Sequence, residues 1–410
     1  MGCKEATDGG KFFYDWQRGD RWMVVVTRVT KRRLEEESRD PELRKMRRGH
    51  VRRLSLSWRH SHDRRFPVVE SILGSPELDR LQEFELFYDN VCSQNPPVPL
   101  SVLHMSVALR VLRIRSTHDG ALQFPMETAC MLDFPHLKEL TLSNVNIMDS
   151  ALHGLLSRCP VLESLVLVGN RWCRRLHISS LTLRSLGVSD SFSSVEGKLD
   201  EVIIVDAPLL ERLIILRDKW QDDFVTQASK LEVLGYLSDG ISRLELGTMV
   251  VQKLVPVSLS NVVRTPNVVI DFIKCILCVE KLYVKVRYYA YFNNVQQNVS
   301  LECLDLHLKM VEFINYQGNV QDLNFIRFFV LNAQVLECMK LVTRRNKCDV
   351  KWIEEQHQKL QLYSGASRRV TFDFQADYEG DILVHMKHIS DLTTNDPFDR
   401  SFCRCRDEER

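Results

Sequence analysis

Cys275 and Cys278 have the two-residue spacing of zinc-binding and redox-active sites. A zinc ribbon needs a second such pair at a suitable distance, and a redox motif needs a characteristic surrounding fold; the sequence offers neither. Cys403 and Cys405 lie in a polar segment that suggests neither metal binding nor oxidation. We therefore interpret Cys275 and Cys278 as buried helix cysteines, which behave as small apolar side chains.

Two histidine pairs are the other candidates for metal ligands. His60 and His62 lie near Asp63, and His385 and His388 share one face if that segment is helical. Neither pair has an evident third ligand, whereas structural zinc needs four ligands and catalytic zinc needs three. The sequence also lacks the Gly-x-Ser-x-Gly motif of hydrolases and a Gly-rich phosphate loop. We predict no catalytic residue, cofactor or metal site, with an enzyme of unrecognised site as the remote alternative.

Charge and cysteine content restrict the class of protein further. Lys and Arg number 55 and Asp and Glu number 54, so no overall field favours nucleic acid or an anionic membrane. The twelve cysteines are scattered, without a secretory leader, which favours reduced and mostly buried thiols. No stretch approaches the roughly 20 apolar residues of a spanning helix. The prediction is a soluble cytoplasmic or nuclear protein that binds neither nucleic acid nor membrane.

A short pattern of three apolar residues, apolar-x-x-apolar-x-apolar, returns along most of the chain. Its copies are Val51/Leu54/Leu56, Leu81/Phe84/Leu86, Leu109/Leu112/Ile114, Leu137/Leu140/Leu142, Leu162/Leu165/Leu167, Leu183/Leu186/Val188, Leu210/Leu213/Ile215, Leu231/Leu234/Tyr236, Val279/Leu282/Val284 and Leu301/Leu304/Leu306. From residue 109 to residue 231 the first position recurs about every 24 residues, the period of leucine-rich repeats. The second and third positions, two apart, predict a strand with one buried face.

The fold class predicted from this period is α/β: a leucine-rich-repeat solenoid. Parallel strands would form its concave face, and helices or irregular segments its convex face. Between strands, residues 149–158 predict a helix that Asp149 or Ser150 caps and that Cys159-Pro160 ends. The side-chain amide of Asn170 is expected to bind backbone groups of the turn. Irregular spacing predicts loops or degenerate repeats at 189–199 and 246–279, and an ordered or extended connection at 90–100.

Several passages resemble the plant F-box proteins that carry leucine-rich repeats followed by an FBD domain. The repeat-like passages are LDFPHLKELTLSNVNI (132–147), LLSRCPVLESLVLVGN (155–170), LTLRSLGVSD (181–190) and APLLERLII (207–215). The FBD-like passages are LECLDLHLKMVEF (301–313), NFIRFFVLNAQVLECMKL (324–341) and ASRRVTFDF (366–374). The resemblance implies that an FBD-like module closes the solenoid. Within it, Asp322 is expected to cap a helix, and Leu336, Met339 and Leu341 to form another strand.

The first fifty residues depart from the family pattern. They lack the Leu-Pro opening of an F-box and offer an apolar stretch, Met23–Val26, before a basic run. The predicted domains are an atypical basic N-terminal segment without a recognisable F-box (1–50), a leucine-rich-repeat region (51–299), an FBD-like domain (300–375) and a polar C-terminal tail (376–410).

Partner-binding candidates follow from the strand pattern, because the residues between the buried apolar positions point out of the sheet toward the predicted concave face. They are Arg53, Ser55, Glu83, Glu85, Arg113, Arg115, Glu139, Thr141, Lys281 and Tyr283. Their mixed signs favour a protein or peptide over a phosphate backbone. Each one taken singly is equally well explained as a solvated surface residue.

The resemblance implies the substrate-recognition part of an SCF-type ubiquitin ligase adaptor. Its partners would be a target protein or peptide, and a Skp-type adaptor with a cullin ligase if the N-terminal region docks. The alternative is an F-box-less or truncated binding protein of the same repeat and FBD type that has no ligase role.

Overall fold

The computed structural model of this protein describes most of the repeat region and parts of both ends. The described residues are 7–8, 11–12, 23–25, 52–60, 70, 73–74, 78–90, 96–104, 107–117, 122–125, 133–189, 199, 201–216, 224–226, 228, 230–237, 244–245, 254–260, 278–285, 302–344, 348–361, 370–377, 390–393 and 395–399. The chain divides into two compact units, Met1–Leu183 with Asp190–Val202, and Arg184–Ser189 with Ile203–Arg410.

The first unit contains a mainly parallel sheet in the order β10-β8-β6-β5-β4-β3. Its elements are β1 (Thr7–Asp8), β2 (Lys11–Phe12), β3 (Met23–Val25), β4 (Arg53–His60), β5 (Glu83–Asn90), α1 (Leu100–His104), β6 (Val111–Ser116), β7 (Leu122–Gln123), β8 (Glu139–Ser143), β9 (Val145–Asn146), α2 (Asp149–Ser157), β10 (Ser164–Val168) and β11 (Arg175–Ser179). Only β3, among the described strands of this sheet, is antiparallel to its neighbour, β4. Strand β3 lies within the predicted N-terminal segment.

The apolar triplets form the core of this unit. In register, their second positions make one buried row across the parallel strands: Leu54, Phe84, Leu112, Leu140 and Leu165. The third positions make a second buried row: Leu56, Leu86, Ile114, Leu142 and Leu167. Because neighbouring parallel strands lie about 4.8 Å apart, equal register stacks equal repeat positions and excludes water from both rows.

The first triplet position anchors a turn that leads into each strand. The backbone N–H of Leu137 donates to the carbonyl oxygen of Phe134 at 3.3 Å, and that of Leu162 donates to Cys159 at 3.3 Å. Pro135 and Pro160 occupy the second turn position, where the fixed backbone angle of proline suits a type I turn. Helix α2 ends at Ser157, just before Cys159-Pro160, as predicted.

The side-chain amide of Asn170 binds backbone groups, as predicted, but those groups belong to the preceding repeat, so the amide joins two neighbouring repeats. Its Oδ1 accepts the backbone N–H of Val145 at 2.9 Å, and its Nδ2 donates to the carbonyl oxygen of Leu142 at 3.0 Å. One repeat earlier, Nδ2 of Asn144 donates to the carbonyl oxygen of Ser116 at 2.8 Å. Each amide satisfies backbone groups at which the chain leaves its strand.

The second unit also contains a parallel sheet, in the order β12-β14-β16-β18-β19-β20-β21-β22. Its elements are β12 (Ser185–Ser189), β13 (Glu201–Asp206, which begins in the first unit), β14 (Arg212–Leu216), β15 (Phe224–Thr226), β16 (Val233–Leu237), β17 (Leu244–Glu245), β18 (Leu254–Ser260), β19 (Val279–Lys285), α3 (Glu302–Leu306), β20 (Met310–Ile314), α4 (Val320–Asn332), β21 (Cys338–Arg344), α5 (Val350–Gln361) and β22 (Thr371–Asp377). Strands β13, β15 and β17 pair with one another in a separate parallel sheet.

Aromatic side chains fill the C-terminal part of the second unit. Phe313 on β20 lies 5.1 Å from Phe325 on α4, measured between ring centroids, and Trp352 on α5 lies 5.9 Å from Phe374 on β22. The Tyr316 hydroxyl donates to Oε1 of Gln356 at 2.8 Å. These contacts tie helices α4 and α5 to the last strands, and offset or edge-on ring pairs of this kind stabilise a core beyond their area alone.

Both helix caps predicted from the sequence are wrong. Helix α2 begins after Met148, with no side-chain cap; Oδ1 of Asp149 instead accepts the backbone N–H of Arg174 at 2.7 Å. Helix α4 is capped by Asn319, whose Oδ1 accepts the backbone N–H of Asp322 at 2.8 Å. Asp322 reaches backward and accepts from the backbone N–H groups of Gln317 and Gly318, a reciprocal arrangement like a capping box.

One predicted strand assignment also needs correction. Leu304 and Leu306, the second and third positions of the last triplet, lie in helix α3, and the strand follows at β20, where Val311 and Phe313 are buried. Leu301, the first position, lies outside the described residues. The irregular stretch 246–279 was predicted to hold loops or a degenerate repeat, and it contains strand β18, in agreement with the second of these alternatives. The short strands β11, β13, β15 and β17 lie where only helices or irregular segments were predicted.

Candidate partner-binding faces

Eight of the ten predicted partner-binding residues lie on one side of the first unit's sheet. Strand β6 alternates half-buried and buried residues along its length, as expected for a strand with one packed side. We call the other side the charged face; it carries Arg53, Ser55, Glu83, Glu85, Arg113, Arg115, Glu139 and Thr141.

Charges on the charged face are arranged as ion pairs between neighbouring strands. The guanidinium group of Arg113 lies 2.7 Å from the carboxylate of Glu139, and that of Arg115 lies 3.3 Å from Glu85. Arg53 and Glu83, more exposed, lie 3.3 Å apart. Such pairs contribute at most about 1 kcal/mol each to stability. Their main effect is to hold long side chains in one arrangement, which lowers the entropy lost when a partner binds.

Phe87 is an exposed aromatic residue on the charged face that the sequence analysis missed. It follows Glu83 and Glu85 on β5 and lies opposite Arg115 in the sheet register. Its side chain is 39% exposed, whereas Thr141 on the same face is buried. A simple signal was available, since Phe87 lies two residues beyond Glu85 and therefore on the same side of the strand. Exposed aromatic side chains surrounded by polar groups are common anchors of protein interfaces.

Lys281 and Tyr283, the other two predicted residues, lie on strand β19 of the second unit. A C-terminal segment contacts both of them: Tyr283 is buried beneath it, whereas the side chain of Lys281 stays 35% exposed. Nζ of Lys281 and the hydroxyl of Tyr283 each donate to Oδ2 of Asp396, both at 2.8 Å. Burial, together with the Asp396 carboxylate, raises the pKa of Tyr283 above its ordinary value, so the hydroxyl stays protonated and acts as a donor.

The same segment covers two neighbouring strands. A guanidinium nitrogen of Arg212, on β14, donates to the carbonyl oxygen of Asp391 at 2.6 Å. The Phe398 ring lies over Gly235, on β16, where a Cβ atom would overlap the ring. We call Arg212, Gly235, Lys281 and Tyr283 the covered site. Nothing in the local sequence pattern indicated this contact.

Comparison with known proteins identifies the family. The leucine-rich repeats of the FBD-associated F-box protein At5g56370 match residues 69–284, more than half of the chain. This chain belongs to the FBD-associated F-box proteins with leucine-rich repeats. The FBD family matches residues 296–341, so both parts of the resemblance drawn from the sequence are confirmed. The two families imply a repeat-type α/β fold, in agreement with the parallel sheets.

An F-box/LRR-repeat protein of Arabidopsis thaliana, At4g15060, is 33% identical over 114 residues, 28% of this chain. The chain spans 25% of the length of that relative.

The remaining chemical candidates of this F-box/LRR/FBD family member divide between described and undescribed residues. Sγ of Cys278 lies 3.8 Å from Nε2 of His307. The remaining members of the predicted pairs lie outside the described residues; they are Cys275, His62, both His385 and His388, and both Cys403 and Cys405. Within the described ranges, no group of three or more His, Cys, Asp or Glu side chains is placed to hold a metal ion. Nor is any helix there both long and apolar enough to cross a bilayer.

Buried thiols were expected, and three of the described cysteines fit that expectation. Cys159, Cys173 and Cys303 are buried and free of disulfides. Burial raises the pKa of Cys159 to about 12 and that of Cys303 to about 11. These thiols are therefore protonated near neutral pH and serve as small apolar side chains.

Proposed function

We propose that this protein is a protein-interaction module whose charged face binds a target protein or peptide. The observation that carries the proposal is the group of three ion pairs on the face that also exposes Phe87, held on parallel strands with a continuous apolar core. A rigid sheet that presents one aromatic anchor within fixed charges is suited to protein recognition. Membership in the F-box, LRR and FBD families supports an interaction role without catalysis.

The charge pattern favours a protein target over a nucleic acid. Each of the arginines Arg53, Arg113 and Arg115 has a carboxylate partner on the adjacent strand. A phosphate backbone would have to compete with those carboxylates, so the electrostatic gain of nucleic-acid binding is reduced. We further propose that the repeats stack as a solenoid with the charged face on its concave side, and that the FBD-like module, 300–375, closes one end.

The finer proposal is a role in substrate recognition for an SCF-type ubiquitin ligase, in the cytoplasm or nucleus. It rests on the family and requires docking of a Skp-type adaptor. The alternative is a binding protein of this family without a ligase role. Titrating the purified full-length chain with a purified Skp-type adaptor by calorimetry separates them. A saturable complex supports the ligase role, and the lack of heat with an active adaptor supports the alternative.

Target binding by the charged face is tested by quantitative affinity capture with three full-length variants. Phe87→Ser removes the aromatic anchor. The double variant Arg113→Glu with Glu139→Arg keeps the internal ion pair and the net charge but reverses the pattern that a partner meets. Leu181→Ser is the matched control, because Leu181 is a 69% exposed apolar residue of the first unit that lies off the sheet's strands.

The expected result is that proteins enriched by the wild type are lost with the first two variants and retained with the control. Truncation of a hot-spot residue typically weakens the binding free energy by about 2 kcal/mol or more, which raises the dissociation constant roughly thirtyfold. Far-ultraviolet circular dichroism of all three variants verifies that the fold is kept. If the captured proteins are the same with folded Phe87→Ser and with the charge-reversed variant, the charged face is not the binding surface.

A further inference from the structure

The segment Ser390–Asp399, of which the structure describes all residues except Thr394, has short-range hydrogen bonds that hold its two described parts, 390–393 and 395–399, in turns. Oδ1 of Asp391 accepts both the backbone N–H of Thr393 at 3.0 Å and the Thr393 hydroxyl at 2.5 Å. Oδ1 of Asp396 accepts the backbone N–H of Phe398 at 3.2 Å. Turns of this kind form locally, because an aspartate side chain stands in for a backbone acceptor. The segment therefore carries its conformation much as a short peptide ligand does.

Both oxygens of the Asp396 carboxylate accept hydrogen bonds, and one of them accepts from the covered site. Oδ1 holds the segment's own turn, while Oδ2 accepts from Lys281 and Tyr283. The carboxylate side chain is only 11% exposed, so these two donors replace most of its water. Hydrogen bonds to a charged acceptor are stronger than those between neutral groups. The covered site therefore recognises a carboxylate at this position.

A ring-sized space lies beside the carboxylate position. Phe398 is 5% exposed, and its ring centroid lies 5.5 Å from that of Tyr283. The floor of the space is Gly235, in the middle of strand β16. Glycine weakens a strand and often marks a place where another group approaches closely. Here any larger residue would occupy the position of the ring, so the strand is shaped for an aromatic side chain.

Recognition of the backbone completes the contact. Arg212 is buried although it lies on the side of β14 opposite the core row of Leu213. It donates to a carbonyl oxygen, that of Asp391, and so can bind a segment of any sequence there. Two side chains of the segment, those of Asp396 and Phe398, therefore meet the covered site, and a backbone carbonyl oxygen supplies the third contact.

We propose that Arg212, Gly235, Lys281 and Tyr283 form a peptide-binding site, which the chain's own Ser390–Asp399 segment occupies as a tethered competitor. The partner that fits is a protein segment with an Asp-Pro-Phe-like sequence: a carboxylate, a turn-forming residue and an aromatic ring. This inference rests on the partner-binding role proposed for Lys281 and Tyr283, but it does not involve Phe87.

Because the Ser390–Asp399 segment is tethered to the same chain, it would control the access of a free partner to the covered site. Residues 378–389 connect strand β22 to the segment. A short connection of this kind keeps a ligand at a local concentration on the order of millimolar. A free partner must therefore bind much more tightly than the segment, or arrive linked to a second contact.

Fluorescence polarisation tests the proposal with a labelled peptide that has the sequence of residues 390–399. The receptor is the full-length chain with Asp396→Asn and Phe398→Ala, which removes the two anchors of the segment and leaves the covered site intact. We expect this released variant to bind the peptide at least about tenfold more tightly than the wild type, whose site is occupied. A peptide with the same two substitutions is the control ligand and should not bind.

Adding Gly235→Val to the released variant should abolish peptide binding, because the new side chain fills the ring space. Adding Phe87→Ser should leave peptide binding unchanged, so a failure of the charged face as a binding surface is distinguished from a failure of this site. If the folded released variant does not bind the peptide, the proposal is wrong.

Hydrogen exchange of the unmodified chain covers the case in which the released variant does not fold. We expect the backbone amides of Phe398 and Asp399 to exchange at least about tenfold faster than those of strands β19 and β20, because a competitor must detach without unfolding the sheet. Excess unlabelled peptide should accelerate them further. Exchange of these amides only together with the strands would identify a permanent part of the fold and overturn the proposal.

Discussion

Replacing Asn170 with Ala is expected to lower the free energy of unfolding of the first unit by about 2–4 kcal/mol. The side-chain amide binds the backbone N–H of Val145 and the carbonyl oxygen of Leu142, and both of those residues are buried. A buried backbone group left without a partner costs about 1–3 kcal/mol. Two such groups would cost about 2–6 kcal/mol. The upper part of that range is not expected, because Asn170 is itself only half-buried and water can replace part of the lost contact.

Equilibrium urea denaturation followed by circular dichroism measures this loss, and hydrogen exchange locates it. The Val145 amide should exchange about tenfold faster for each 1.4 kcal/mol of lost protection. His136→Ala, at an exposed position in the same unit, is the control and should change stability by no more than about 0.5 kcal/mol. A loss below about 0.5 kcal/mol for Asn170→Ala, with unchanged Val145 exchange, would refute the bridging role of the amide.

Four buried or half-buried titratable groups give further expected outcomes. Burial raises the pKa of Asp322 to about 6, so its contribution to stability is complete below the unfolded pKa of about 4 and is lost as the pH rises through 6. Between about pH 4 and pH 7, the free energy of unfolding of the wild type, measured by urea denaturation, should therefore fall by about 2–3 kcal/mol relative to that of Asp322→Asn. An equal pH dependence of the two unfolding free energies would contradict this. Burial, followed by the charge of His177, lowers the pKa of His153, and Nε2 of neutral His153 accepts the backbone N–H of His177 at 3.1 Å. An NMR titration should place His153 below its ordinary midpoint, with the His177 amide shift following the same curve, and an independent amide curve would argue against the hydrogen bond. Burial also raises the pKa of Cys159 and of Cys173 to about 12, so iodoacetamide at mildly alkaline pH should modify them only at the rate of unfolding; rapid labelling of the folded chain would count against their burial.

Most of the repeat architecture was predictable from the sequence. Leu112, Leu140 and Leu165 occupy equivalent positions of a regular period, and they form one buried row in the sheet. The prediction works because parallel strands in equal register bring equal repeat positions together, so a local pattern determines a long-range contact. It fails at Leu304 and Leu306, which lie in helix α3, because a short apolar pattern fits either element.

The predicted binding residues show the same limit. Charged residues such as Arg113 and Arg115 were placed correctly on the side of the sheet opposite the core, since alternation along a strand is a local property. Their partners, Glu139 and Glu85, lie on different neighbouring strands. Glu85 lies opposite Arg113 in the register but pairs diagonally with Arg115, so the register and the directions of the side chains together decide which carboxylate each guanidinium group reaches.

By itself, the sequence determined that parallel strands stack around leucine rows and that polar residues line the other side of the sheet. It also indicated the family, because several passages match the leucine-rich repeats and the FBD domain. The tertiary structure alone decided that Lys281 and Tyr283 lie under Asp396 and Phe398, more than one hundred residues later in the chain. The physical reason is that periodicity in the sequence shows which face of a helix or strand is apolar. The contact between the Asp396–Phe398 turn and the space beside Gly235 depends on the shapes of two distant segments, and it leaves no periodic pattern in the sequence.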